Sequence, residues 1–142
     1  MAVNLSSKEV QDWLNPWPIK LKRKRRWGLA VIPISHVAKF TCLWKDGNGD
    51  QKTIGWWADR AAKGGVADDR QHYLHMLARF QVPVMSSLTV MAMKKDGAWC
   101  LIDGNYHSIA CMMIVRNRYQ GLKCRLRWAG VLYPLTQGPL QV

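Results

Sequence analysis

The stretch WCLIDGNYHSIACMMI constrains the fold more than any other part of the sequence, because its periodicity changes partway along. Apolar residues run without a break up to Ile102, as in a buried strand. Asp103-Gly104 then interrupts the run, and the apolar spacing from about Tyr106 to about Tyr119 fits a helix. Because glycine allows the backbone to turn sharply, the stretch predicts a strand that passes through a tight turn directly into a helix.

A strand-to-helix turn of this kind is a candidate anion site. The first amides of a helix have no acceptor within it, and the helix dipole adds partial positive charge there, so phosphate is favoured. Asn105, His107 and Ser108 supply further donors. Asp103 is placed to orient His107, to hold a divalent cation or to accept from the amides of the turn. A purely structural role stays open, since Asp-Gly is a common turn and Asp103 then only caps the helix.

The length and composition describe one folded domain. A chain of 142 residues is large enough to bury a core, and 49% hydrophobic residues exclude a disordered protein despite the high charge. No apolar segment is long enough to cross a membrane and the N-terminus lacks the pattern of a secretory signal, so a cytoplasmic protein with no membrane span is expected. The four cysteines lack CxxC spacing and are expected to be core thiols.

Positive charge is in large excess and is clustered. Lys and Arg number 21 against nine Asp and Glu, and the formal net charge of +12 attracts polyanions, with nucleic acid first and anionic membranes second. One cluster lies in residues 20–26, where a solvated face is the alternative interpretation. The other forms the polar face of a strand predicted over residues 122–128. The predicted DNA contacts are Lys20, Lys22, Arg23, Lys24, Arg25, Arg26, Lys123, Arg125 and Arg127.

The N-terminal half is predicted to contain an arm, a strand and a hairpin. Residues 1–30 are assigned to a helix capped by Ser6 or Ser7 and to the basic arm, and residues 31–142 to the main domain. The segment LAVIPISHVAKF predicts a strand followed by a short helical turn. The segments KFTCLWK and QKTIGWW flank the glycine-rich residues 46–50 and predict a β-hairpin.

The second half is predicted to alternate helices with a hairpin. A loop over residues 58–67 precedes a helix that Asp68 or Asp69 caps. The segments SLTVMAM and AWCLI, joined through Asp96-Gly97, predict a second hairpin that leads into the turn at Asp103. The packed face of the first of these helices is predicted to consist of Tyr73, Leu74, Leu77 and Phe80.

The segment LIDGNYHSIA resembles the signature of the ParB/sulfiredoxin superfamily, which includes ParB-like nuclease domains. That signature is a strand, Asp-Gly, a His or Asn, then His-Arg and a helix that contains Ala. The matching positions here are Asp103, Gly104, Asn105 and Ala110. The segment VIPISHV is similar to the family's opening strand and turn, and the resemblance covers residues 32–132 in the same order of elements. It implies an α+β, ParB/sulfiredoxin-like fold with a small mixed, mostly antiparallel sheet and packed helices.

The resemblance also implies ligands and roles. It implies a nucleoside triphosphate with Mg²⁺ as ligands, Asp103 and His107 as catalytic residues, and Asp103 as the metal ligand. The implied nucleotide-binding residues are Gly104, Asn105, Tyr106, His107 and Ser108. Two positions depart from the family: Tyr106-His107 stands where it has His-Arg, and Asn105 stands where sulfiredoxins have a reactive cysteine. The second departure excludes sulfinic-acid repair.

Three functions follow from these patterns. The first is a DNA-binding, nucleotide-binding ParB-like enzyme with metal-dependent nuclease or nucleotidase activity. The second is a non-catalytic regulator or inhibitor of plasmid or phage origin, which uses the same fold to bind DNA or a partner. The third is an interaction protein whose Trp56 and Trp57 form a partner surface. The basic clusters occur together with a site that suits chemistry, and this favours the first.

Overall fold

The computed structural model describes residues 3–6 and 26–142, and within them seven strands form one sheet. The strands are β1 (Val3–Ser6), β2 (Arg26–Pro33), β3 (Thr41–Lys45), β4 (Gln51–Thr53), β5 (Thr89–Lys95), β6 (Ala98–Asp103) and β7 (Trp128–Pro134). The α-helices are α1 (Ile54–Ala62), α2 (Asp68–Met76) and α3 (Asn105–Asn117). The helix predicted after Ser6 or Ser7 and the basic residues 20–25 lie outside the described residues. β2 spans the predicted boundary between the N-terminal arm (residues 1–30) and the main domain (residues 31–142).

The sheet has the order β1-β2-β7-β5-β6-β3-β4 and is mixed. Antiparallel pairing joins β1 to β2, β2 to β7, β5 to β6 and β3 to β4. Parallel pairing joins β5 to β7 and β3 to β6 in the interior of the sheet. The expected α+β class is confirmed, but the expectation of a mostly antiparallel sheet is wrong, because both chain crossovers bring parallel neighbours to its centre.

Both predicted hairpins form, and one of them is shorter than predicted. β5 and β6 pair through a turn in which Asp96 and Gly97 have φ values of 50° and 82°, the left-handed pair that a two-residue hairpin turn requires. β3 and β4 also pair, and β4 ends at Thr53. The segment LAVIPISHVAKF forms β2 and a 3₁₀ helix over Ile34–Lys39, as predicted.

The residues from Ile54 onward form α1, although the sequence predicts strand and then loop there. The Thr53 hydroxyl accepts the Trp56 amide at 3.1 Å and caps the helix. The buried residues of α1 recur at helical spacing and include Ile54, Trp57 and Ala61. Burial of this stripe against α3 outweighs the strand preference of the Thr-Ile and Trp-Trp pairs.

The second predicted helix is confirmed in position but not in its packed face. α2 is preceded by Ala67 rather than capped by Asp68 or Asp69, which lie in its first turn. It continues as a π-helical turn over Leu77–Gln81. Leu74 and Leu77 are buried, whereas Tyr73 is 44% exposed and Phe80 is 64% exposed. The wider π turn shifts the helical phase, so the predicted stripe does not extend to Phe80.

The strand predicted over residues 122–128 is displaced. Residues 122–127 have no regular secondary structure, and β7 begins at Trp128. The alternation is nevertheless real, because the apolar residues pack partly against the core while the basic residues are exposed. The half-buried residues are Leu122, Cys124 and Leu126, and the exposed ones are Lys123, Arg125 and Arg127. An extended segment buries every second residue when one of its sides packs against the core, whether or not other strands pair with it.

α3 lies in the centre of the core and fixes the site described below. Ile109, Met112 and Met113 are fully buried along it, and it packs against both α1 and the π turn. The helix begins at Asn105 and ends before Arg118, whose left-handed backbone (φ 50°) stops it earlier than the predicted end near Tyr119. Among the described residues, no helix is long and apolar enough to cross a membrane.

A substitution at the junction between β6 and α3 tests how tightly the helix start is held. Gly104 has φ +90°, and a Cβ there would lie 2.8 Å from Val90 Cγ1. Gly104→Ala is expected to lower the free energy of unfolding by about 2–4 kcal/mol, from backbone strain plus overpacking. Gly97→Ala is the matched control, because Gly97 has φ +82° with nothing within 4 Å. Urea unfolding measures both; equal losses would show that contact with Val90 contributes nothing.

Candidate functional site

A cleft opens where β6 passes into α3. It has a volume of about 550 Å³, and we call it the α3 cleft. Its walls come from the junction itself, from α2 and its π turn, and from the segment before β5. The lining residues include Asp103, Gly104, Asn105, Tyr106 and His107 from the junction and Tyr73, Gln81, Met85, Ser87, Leu88 and Thr89 from the other elements. The structure thus brings five of the sequence-predicted site residues together in one cavity.

The junction is held by the side chain of Asn105, which is turned inward. Its Nδ2 donates to the Leu101 carbonyl at 3.1 Å, and its Oδ1 accepts the Leu43 amide at 3.3 Å. These bonds fix the start of α3 to β6 and to the neighbouring strand β3. The side chain is buried, so Asn105 offers a ligand its backbone amide rather than its carboxamide.

The first amides of α3 have no acceptor among the described residues. The amides of Asn105, Tyr106 and His107 have no hydrogen-bond partner there, whereas Ser108 N donates to the Gly104 carbonyl at 3.0 Å. The Gly104 amide is close enough to the Asp103 carboxylate to favour its charged form. A cluster of unpaired N–H groups at the positive end of a 13-residue helix favours an oxyanion.

Ser108 is the predicted site residue that lies away from the cleft. It is fully buried on α3, and its Oγ has no hydrogen-bond partner among the described residues. A buried hydroxyl without a partner costs roughly 1–3 kcal/mol. No lining contact connects it to the cavity, so the donor role that the sequence suggests for Ser108 has no geometric support.

Burial perturbs the two predicted catalytic residues in opposite directions. Desolvation raises the pKa of Asp103, although the hydrogen bond from Gly104 and the charge of His107 oppose the shift. Desolvation lowers the pKa of His107, against the opposing charge of Asp103. Both shifts disfavour the charged forms. At neutral pH His107 is therefore an uncharged imidazole that is able to accept a proton.

His107 is oriented by Gln81, which the sequence analysis missed. His107 Nε2 lies 3.1 Å from Gln81 Oε1. Because an amide oxygen only accepts, Nε2 carries the hydrogen and Nδ1 is the nitrogen left to accept a proton. No hydrogen bond joins Asp103 to His107 in the described residues, so the structure does not show Asp103 orienting the imidazole. Gln81 ends the π turn, and no local pattern marks it.

The predicted DNA contacts fall into two groups. Lys123, Arg125 and Arg127 are exposed side by side on the segment before β7. The arm residues Lys20, Lys22, Arg23, Lys24 and Arg25 lie outside the described residues, and Arg26 begins β2.

Metal binding in the α3 cleft would depend on Asp103. Among the described residues, no group of three or more His, Cys, Asp or Glu side chains is placed to hold a metal ion. Asp103 is the one carboxylate among the described residues that line the cavity. Mg²⁺ often binds through one or two carboxylates together with phosphate oxygens and water, so a single Asp suits an ion that arrives with a phosphate ligand.

Comparisons with models of protein families, with curated proteins and with solved structures find no match to this chain.

The pKa shifts predict opposite effects for two Asp→Asn substitutions. Asp103 has a raised pKa, so its charge costs stability as the pH rises through that pKa, and Asp103→Asn is expected to stabilise the protein near neutral pH. Asp59 is the control. Its pKa is lowered by hydrogen bonds from Arg116, at 2.8 and 3.1 Å, and from Asn117. Asp59→Asn is therefore expected to destabilise the protein above its unfolded pKa, with the difference vanishing in acid.

Denaturant unfolding of both variants at several pH values measures these differences. A loss of stability at neutral pH for Asp103→Asn would show that the charged carboxylate stabilises the folded protein, which would contradict the destabilisation that its raised pKa implies.

Proposed function

We propose that this protein binds nucleic acid and nucleotide phosphates and hydrolyses a phosphate ester or anhydride in the α3 cleft, as a ParB-like nuclease or nucleotidase. The observation that carries the proposal is that one cavity is lined by the start of α3, with its unpaired amides, by a half-buried carboxylate and by a neutral imidazole. The fold proposed is the ParB/sulfiredoxin-like one. The order of β2, its helical turn, α2, the β5–β6 hairpin and α3 supports that choice.

The phosphate is assigned to the amides of Asn105, Tyr106 and His107. Donors that are held in place before an oxyanion arrives cost no reorganisation. A phosphate there stands beside His107, which lines the same cavity. The amides take the place of the missing arginine of the family signature, and the His107 imidazole stays uncharged beside them.

His107 is assigned the role of general base. Gln81 holds Nε2, so Nδ1 is oriented to take a proton from a water molecule that attacks the phosphorus. As the new P–O bond forms, the P–O bond to the leaving group breaks, and the leaving oxygen takes up a proton from solvent. The lowered pKa keeps the imidazole uncharged before the reaction. Asp103 would hold Mg²⁺ together with the phosphate oxygens, and the ion would neutralise charge on the transferred group.

DNA is the proposed macromolecular partner. The formal charge of +12 and the exposed row Lys123, Arg125 and Arg127 support attraction to the phosphate backbone. We place this activity in the cytoplasm, where free thiols such as the buried Cys42 and Cys100 remain reduced.

A binding protein without catalysis is the second candidate, and one observation favours it. The Asp103 carboxylate makes no hydrogen bond to His107 in the described residues, so the two groups are not linked as a catalytic pair. Such a protein would hold the same phosphate without turnover, as a regulator or inhibitor of plasmid or phage origin.

Phosphate binding is expected to tighten as the pH falls. Without Mg²⁺, an anion at the α3 amides favours protonated His107 and protonated Asp103, so binding takes up protons, and the apparent Kd is expected to fall by about 10-fold between about pH 8 and about pH 6. This protonated complex binds phosphate but is not the form in which His107 acts as a base. Isothermal titration with inorganic phosphate in the absence of Mg²⁺ measures the dependence. His107→Gln should flatten the dependence. His72→Gln, which changes an exposed histidine outside the cavity lining, should leave it unchanged. Binding that strengthens as the pH rises would contradict the assignment.

Turnover separates the two candidates. Incubation with plasmid DNA and with a nucleotide panel in Mg²⁺ is expected to show hydrolysis that falls about 10²–10⁴-fold in His107→Gln, the usual contribution of a general base. His72→Gln should retain full activity. Tight binding without hydrolysis in the unmodified protein would favour the regulator, and hydrolysis that survives combined Asp103→Asn and His107→Gln substitution would exclude the assigned catalytic site.

A further inference from the structure

A second, smaller cavity lies between the β3–β4 turn and α1. Its volume is about 220 Å³, and we call it the arginine–tryptophan pocket. The lining residues that matter here are Lys45, Asp46, Trp56, Trp57, Arg60 and Arg70. None of them belongs to the α3 cleft or to the basic clusters that the sequence singles out.

Two arginines are held in this region by tryptophan rings. The Arg60 guanidinium lies 4.8 Å from the centroid of Trp56, and the Arg70 guanidinium lies 4.3 Å from the centroid of Trp44. Arg60 Nε also donates to the Gly65 carbonyl at 3.1 Å. A guanidinium that is stacked on a ring still presents N–H groups along its edge, and that edge suits a phosphate.

The described residues balance the positive charge of the pocket only in part. Neither Arg60 nor Arg70 forms an ion pair with a carboxylate of these residues, although the charge of Arg60 helps to lower the pKa of Asp46. Asp46 is the one acidic residue among the described lining residues, and Lys52 lies 3.9 Å from it. The Trp57 ring forms part of the wall, and its buried Nε1 has no acceptor in the described part of the chain. The unpaired groups are therefore donors, which is the complement of an oxyanion.

A continuous row of aromatic rings connects the two cavities. Tyr73 and Tyr106 line the α3 cleft with centroids 4.9 Å apart, and Tyr106 lies 4.8 Å from Trp44. Trp44 lies 5.3 Å from Trp57, which lies 5.0 Å from Trp56 in the second pocket. These rings pack edge-to-face on one another, and Tyr73 is the exposed one among them, so the row fixes the two cavities relative to each other and leaves Tyr73 to stack on a base. Basic groups beside an exposed aromatic ring are typical of sites for single-stranded nucleic acid.

We propose that the arginine–tryptophan pocket binds a second phosphate of a single-stranded polynucleotide whose first phosphate occupies the α3 cleft. The inference rests on the proposed function and adds a substrate class to it. Tyr73, 44% exposed at the mouth of the cleft, offers a surface on which a base stacks. A duplex keeps its bases paired and cannot use such a surface, so the single strand is the ligand that the geometry favours.

The test compares oligonucleotide and mononucleotide binding in the full chain. Arg60→Gln combined with Arg70→Gln is expected to weaken binding of a labelled single-stranded oligonucleotide of about ten nucleotides by about 10-fold. It should also lower the slope of log K against log salt by about 0.7, the contribution of one phosphate. Binding of a nucleoside monophosphate, which reaches only the α3 cleft, should stay unchanged. Lys94→Gln combined with Lys95→Gln is the control, since it removes the same charge from exposed positions that line neither cavity.

A second variant separates geometry from charge and guards against a folding defect. Arg60→Lys with Arg70→Lys keeps the charge and removes the planar fork, so it should bind the oligonucleotide more weakly than the unmodified protein does. Two results would overturn this inference and leave the proposed function standing, provided that the monophosphate still binds. One is an equal loss of oligonucleotide affinity in the Lys94→Gln, Lys95→Gln control, and the other is no loss of affinity in the Arg60→Gln, Arg70→Gln variant. Equal competition by a duplex or by polyglutamate would overturn the single-strand assignment. Failure of the unmodified protein to bind the monophosphate would overturn the proposed function itself.

Discussion

The start of α3 is held at two points, and the position of every group in the α3 cleft depends on them. Gly104 packs against Val90 with a left-handed backbone, and the Asn105 side chain bonds to the backbones of β3 and β6. The helix then runs through the centre of the core, where Ile109 and Met112 are fully buried. These contacts prevent the helix from shifting along its axis. Its first amides therefore stay at the cavity surface, where no described residue provides an acceptor for them.

The same packing explains the electrostatics of the cleft. Placing Asp103 and His107 at the edge of the core removes part of their hydration, and this cost raises one pKa and lowers the other. A purely structural turn gains nothing from such a pair. The π turn before residue 82 brings Gln81 against the imidazole, and π turns of this kind are frequent at functional sites.

The local parts of this arrangement are readable from the sequence, and the tertiary parts are not. The turn at Asp103-Gly104 and the Asp96-Gly97 hairpin are specified by residues next to one another, so periodicity and turn chemistry predict them. The sequence predicts strand and loop over α1 because the local residues favour a strand. A helix forms instead because these residues are buried against α3, which lies more than 40 residues away in the sequence. The contact between Gln81 and His107 spans 26 residues and leaves no local signal.

The central claim is that the amides of Asn105, Tyr106 and His107 receive a phosphate oxygen. Nuclear magnetic resonance of the ¹⁵N-labelled protein during titration with inorganic phosphate, and then with a nucleoside triphosphate, tests it most directly. We expect the largest amide shifts at these three residues, saturating with each ligand, and little change at the same residues when chloride is added instead. Saturating shifts confined to other parts of the molecule, with these three amides unmoved, would contradict the account.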